Sequence, residues 1–90
     1  MRAELTERVD HVVAERTRVT SLLRGQGWDI PDPQGNFVWL ALGERTTARA
    51  DAARAAGLLV RSFAGEGIRV TIGETEANDA FVRLAGRWPM

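Results

Sequence analysis

Leu58-Leu59-Val60-Arg61-Ser62-Phe63, Ala64-Gly65-Glu66-Gly67 and Ile68-Arg69-Val70-Thr71-Ile72-Gly73 form the continuous stretch that sets the fold. Two runs rich in β-branched and large apolar residues flank a short link with two glycines, the pattern of an antiparallel hairpin. Side chains alternate across a strand. Ile68, Val70 and Ile72 therefore share one face, with Arg69 and Thr71 on the other. In the first run Leu58 and Val60 fall opposite Leu59, Arg61 and Phe63. The hairpin separates an aliphatic side from a side that carries two arginines.

Working upstream, Gly57 closes an alanine-rich helix over Ala48–Ala56, with Thr46 or Thr47 as its expected cap. Alanine favours the helix but offers little area to bury, so this helix must pack close to the sheet or hold weakly. Before it, Asn36 to Leu42 is a short apolar run, read as a buried strand. Val38, Leu40 and Leu42 lie on one side of it and Phe37 and Trp39 on the other; because both sides are apolar, a register with Phe37 and Trp39 in the main core stands as the alternative. Asp29 to Gly35 is a turn-rich link in which Pro31 and Pro33 block helix. The opening segment is a long amphipathic helix with Leu5, Val9, Val12, Val19 and Leu23 on one stripe, widened by Val13 and Leu22. Thr6 is its expected cap and Gly25 or Gly27 its stop; Arg16 lies within the stripe, its stem on the core and its head reaching for water.

Downstream, Thr75 is the expected cap of a last helix whose apolar positions Ala77, Ala80, Phe81, Leu84, Ala85 and Trp88 follow helical spacing. The order helix, strand, helix, strand, strand, helix predicts an α+β two-layer sandwich. A helical connection between strands one and two favours a parallel, right-handed relation. The hairpin makes strands two and three antiparallel, so the expected sheet is mixed, with strand three central and the helices on one face. The uncovered face then carries Arg61, Arg69 and Thr71 beside Phe37, Trp39 and Phe63, too apolar for an ordinary solvent surface.

Ninety residues make one domain, 1–90, with no room for a second core. Twelve basic residues balance twelve acidic ones, which argues against nucleic acid and against a polybasic membrane anchor as partners. No apolar run approaches a membrane span and the first residues lack a signal-peptide core, so the expected compartment is the cytoplasm. Cysteine is absent, which removes disulfides and thiolate metal sites. His11 is the only histidine and reads as a surface residue rather than a catalytic or metal-binding one. Every basic residue is arginine. Without lysine the chain cannot form a Schiff base through a lysine side chain.

Leu59-Val60-Arg61-Ser62-Phe63, Gly67-Ile68-Arg69-Val70-Thr71-Ile72-Gly73 and Thr75-Glu76-Ala77-Asn78 together resemble the end of the class I/II pyridoxal-phosphate-dependent aminotransferases. The likeness is greatest to the histidinol-phosphate and aromatic-amino-acid branch, where V-R-x-[FY] precedes G-[ILV]-R-[IV]-T-[IV]-G-x-x-E-x-N. Gln34-Gly35-Asn36-Phe37-Val38 is similar to that branch's Q-[AG]-N-F-V strand, and the opening helix with Glu15-Arg16 resembles the helix leading into its small domain. Four pieces in the right order cover about Leu5 to Trp88.

The resemblance implies the C-terminal small domain of such an enzyme, with pyridoxal phosphate held by a large domain outside these residues and no catalytic or cofactor-binding residue in this chain. It implies that Arg69 receives the carboxylate of an amino acid substrate or the phosphate of histidinol phosphate. By the same likeness Arg61 assists at the distal anion and Asn36 stands near the active site, although its residue type also suits backbone bonding at the strand's start. Asn78 is expected to serve the first turn of the last helix. On this reading the chain alone is inactive, and its uncovered stripe would favour a homodimer. The competing reading is a self-standing ferredoxin-like module that binds an anionic metabolite or a partner protein.

Overall fold

The computed structural model describes residues 2–33 and 35–88, with side chains from Asp10 onward. Helix α1 (Arg2–Gly25) leads to strand β1 (Phe37–Ala41), a 3-10 turn (Gly43–Arg45) and helix α2 (Thr46–Ala55). Strands β2 (Val60–Phe63) and β3 (Gly67–Thr71) and helix α3 (Thr75–Gly86) complete the chain. Thr6 lies inside α1 rather than at its start, and Leu5, Val9 and Gln34 fall outside the described side chains.

The sheet order is β1-β3-β2, with strand three central as expected. Both ladders are antiparallel. The expected mixed sheet is corrected here: β1 and β2 do run in the same direction, but β3 separates them, so no parallel pair forms. Register settles the two faces. Val38 faces Val70, which faces Val60, and Leu40 faces Ile68. Val38, Leu40, Ile68 and Val70 are buried, in one cluster with Val19 and Leu23 of α1, Ala50 and Ala53 of α2, and Phe81 and Ala85 of α3. Phe37 and Trp39 remain half-exposed on the opposite face, so the alternative register is excluded.

α2 does pack closely, through Ala50 and Ala53, against β2 and β3. Its cap differs from expectation. Arg45 occupies the cap position but its side chain does not cap the helix, and the buried Thr46 hydroxyl donates to the Gly43 carbonyl at 2.7 Å. Glu74 likewise precedes α3, leaving Thr75 as its first residue. Both helix stops are made by glycine: Gly27 (φ 107°) and Gly57 (φ 84°) adopt the left-handed backbone that a side chain resists. Their N–H groups donate to Arg24 and Arg54, while those of Trp28 and Leu58 reach back to Leu23 and Ala53. This double bond pattern satisfies the last carbonyls of each helix.

Val19 and Leu23 of the α1 stripe are buried, whereas Val13 and Leu22 are largely exposed. Arg16 does not simply reach into water, because its guanidinium donates to the Gly35 carbonyl at 2.9 Å and ties α1 to the start of β1. Trp88 lies beyond α3 but still enters the core, edge-on to Trp28 at 6.4 Å with Arg49 over its ring. No helix among the described residues is long and apolar enough to cross a membrane.

Glu15 is a buried acid that joins α1 to α3. It accepts from Arg18 at 2.7 and 2.8 Å and from Asn78 at 3.0 Å, while Arg18 also reaches Asp79 at 2.8 Å. The Arg18 hydrogen bonds, then those of Asn78 and Thr75, hold the carboxyl at about 2 against an ordinary 4.5, although burial pushes the other way.

A carboxyl depressed on folding stabilises above its unfolded value, and that contribution is lost as pH falls through the folded one. Urea titrations between pH 4.5 and 2 should show a loss of about 1–2 kcal/mol, reduced by the solvent-facing side of Arg18 and absent in Glu15→Gln. A second expectation concerns Gly67. A methyl group there would run into the Leu40 carbonyl oxygen and the Trp39 ring. Gly67→Ala should cost at least about 2 kcal/mol in urea unfolding, whereas Gly73→Ala, with open space around it, should cost under about 0.5 kcal/mol.

Candidate functional site

The face of the sheet away from the helices carries the residues singled out in the sequence. Antiparallel pairing places Arg61 directly opposite Arg69, with Trp39 opposite Arg69 on the other side. The row across the middle of the sheet is therefore Trp39, Arg69, Arg61. Phe37 pairs with Thr71 beside it, and Phe63 pairs with Gly67. The bare Cα of Gly67 leaves room for the Trp39 ring, which also meets Phe63 edge-on at 5.7 Å. Glycine thus lets the aromatic groups lie close to the strand plane.

The arginines rest on rings. The Arg69 guanidinium stands 4.8 Å from the centre of Phe37, and that of Arg61 stands 5.4 Å from Phe63. Such contacts hold a cation at modest cost and leave its donor edge free. Among the described residues neither arginine has a carboxylate within ion-pair distance. Two like charges facing across neighbouring strands repel. An anion between them would relieve that repulsion and accept paired charge-assisted bonds from each planar guanidinium.

Asn36 precedes β1 with an exposed side chain, and its backbone carbonyl accepts the Ile72 N–H at 2.7 Å. The backbone therefore makes the bond that starts the ladder, and the side chain does not share in it. Leu59, 74% exposed, extends the apolar border beyond Arg61. His11 is exposed on α1. A groove of about 260 Å³ between α1 and the 29–35 link is lined by Arg16, Arg24 and Thr20, but both arginines are already engaged, with Gly35, Ile30 and Asp32. It offers no comparable pair of unopposed cations.

Asn78 is the residue whose reach sequence reading missed. Expected to serve the first turn of α3, its side chain instead bonds both polar groups of Gly73, ahead of that helix, and extends to Glu15 in the first helix. The signal available was the Glu15–Arg18 spacing, which places opposite charges on one helical face. The distant partner at Asn78 left no mark in the sequence pattern.

Pyridoxal phosphate does not fit this chain as its binding site. The chain contains no lysine for the cofactor's aldehyde.

No protein-family model matches the chain. Curated proteins do. An aromatic amino acid aminotransferase of Streptomyces coelicolor is 58% identical over 82 residues, covering 91% of this chain and 23% of that enzyme. The enzyme of the same name from Streptomyces avermitilis is 56% identical over 85 residues, and that from Mycobacterium tuberculosis 49% over 85. These two cover 94% of this chain and 24% of their own lengths is matched. The chain spans about a quarter of the length of the curated relatives it matches, and it is homologous to that part of them.

The open face supports an opposing-effects test. Arg61→Glu should pair with Arg69 across the strands and raise stability by about 0.5–1 kcal/mol, while the affinity for an anionic probe such as 3-phenylpropionate falls at least tenfold. Urea unfolding and NMR titration would report the two effects separately.

Proposed function

We propose that this chain, homologous to a quarter of the aromatic amino acid aminotransferases, is the C-terminal small domain of a pyridoxal-phosphate-dependent aminotransferase and supplies one side of its substrate clamp. The observation that carries this reading is the unopposed Arg61–Arg69 pair on an aromatic face, within a chain 49–58% identical to those enzymes. Arg69, on the central strand, is the grip for a substrate carboxylate. Its backbone is held on both sides, which limits the positional freedom of the guanidinium. Arg61 assists at the same anion or at a second one. Phe37, Trp39 and Phe63 supply flat apolar surface against which an aromatic substrate body packs. Asn36 borders this site from the start of β1.

The lysine and the remaining groups that hold the cofactor belong to the large domain, outside this chain. When bound there, pyridoxal phosphate supplies the electron sink for amino-group transfer. The chain's own task is to bind and orient the substrate and to exclude water from one side. Aromatic amino acids suit the three rings better than histidinol phosphate does, and the names of the relatives point the same way.

The test is a transamination assay on the protein that contains this chain together with the large domain. Phenylalanine should be a better amino donor than histidinol phosphate. Arg69→Ala should lower kcat/KM at least a hundredfold, and Arg69→Lys should recover part of it, because a single ammonium replaces the charge but not the paired geometry. Equal use of both donors by the unaltered protein would move the assignment toward histidinol phosphate. The isolated 90-residue chain should give no aldimine absorbance with the cofactor.

A further inference from the structure

We infer that Asn78 and Glu15 are positioning residues for Arg69, holding the end of the central strand where its neighbours stop. This rests on the reading of Arg69 as the anion grip. β2 begins at Val60, opposite Val70, and one further bond runs from the Thr71 N–H to the Leu59 carbonyl. On the other side the last bond is from the Ile72 N–H to the Asn36 carbonyl. Gly73 is the first residue beyond the reach of both neighbours. The Asn78 side chain takes the place of a strand there: Oδ1 accepts the Gly73 N–H at 2.8 Å and Nδ2 donates to the Gly73 carbonyl at 2.9 Å.

One amide thus satisfies both polar groups of a single residue, as a paired strand would. Asn78 is buried and cannot turn freely, and Glu15 sets which way it points. The second Nδ2 hydrogen goes to Glu15 Oε1 at 3.0 Å, which fixes the amide with its oxygen toward the Gly73 N–H. Arg18 grips Glu15 through two bonds and anchors to Asp79 at 2.8 Å, so the clasp joins α1, α3 and the exit of β3.

The need for a clasp at this end follows from charge. Arg61 is the second residue of the short edge strand β2, and Arg69 faces it with no carboxylate between them. Without a bound anion their repulsion favours fraying at the end of the sheet formed by Val60, Phe37 and Thr71. The clasp opposes that fraying and keeps the Arg69 guanidinium over Phe37, ready for the ligand.

Amide hydrogen exchange on the isotopically labelled 90-residue chain tests this, using Glu15→Gln and Asn78→Ala, with Asp79→Asn as the milder perturbation should either fail to fold. In a folded variant, exchange at Thr71, Ile72 and Gly73 should accelerate at least tenfold while Ile68 and Leu40 are unchanged. The NMR contact between the Arg69 Nε–H and the Phe37 ring should weaken in the same samples. Uniform acceleration including Ile68 would overturn the proposal in favour of plain destabilisation, and unchanged exchange at Gly73 would overturn it outright. Titration of the unaltered chain with 3-phenylpropionate separately judges the anion-grip reading. Binding there, together with a three- to tenfold loss in Glu15→Gln, supports both readings. Failure of the unaltered chain to bind, with the local exchange pattern present, removes the grip and leaves the clasp on β3 standing.

Discussion

The antiparallel ladders on both sides of β3 are the constraint on which the rest of the structure depends. Because alternate residues of a strand point in opposite directions, fixing one register assigns every neighbouring side chain to a face. Ile68 and Val70 go to the helices and Arg69 goes to the open side. A slip of one residue would bury both Arg61 and Arg69 and expose the aliphatic row. The cost of burying two unpaired guanidinium groups makes that alternative inaccessible. Gly67 supports the same register, since only a residue without a side chain fits between the Leu40 backbone and the Trp39 ring.

The helix layer meets the sheet by two different means. α2 relies on small side chains and close approach through Ala50 and Ala53. α1 and α3 combine apolar contact with a polar junction built around Glu15, whose acid group is stabilised in its charged form by Arg18, Asn78 and Thr75. Removing one member of such a junction leaves a buried charge or amide unpaired, so it opposes displacement strongly. It also connects the first helix of the chain to Gly73, just beyond the end of the central strand.

On the proposed reading, the open face is half of a binding site. It offers aromatic surface and two unopposed cations, but no group capable of covalent chemistry with a cofactor. That division matches a chain homologous to only a quarter of the length of its relatives. The substrate-gripping and cofactor-holding tasks, on the proposed reading, sit on separate domains. Closure of one over the other would bring the substrate anion to Arg69 and exclude water from the reacting end.

Element order, the hairpin at Ala64–Gly67, the two helix stops and the segregation of Arg61 and Arg69 from the aliphatic row were legible from the sequence by itself, because each depends on neighbours only a few residues apart. Turn glycines and two-residue alternation act locally. The absence of lysine likewise excluded covalent cofactor attachment without any structure. Tertiary structure decided what depends on distant partners. It placed Phe37 and Trp39 outside the core although β1 is apolar on both sides, and it made both ladders antiparallel where a mixed sheet was expected. It turned the expected threonine caps to other uses, with Thr46 bonded to Gly43 and Thr75 set inside the first turn of α3. It also brought Asn78 to Glu15 across 63 residues of chain. Local pattern is silent on such contacts, since their geometry exists only once the core has packed and the helices have taken their places on the sheet.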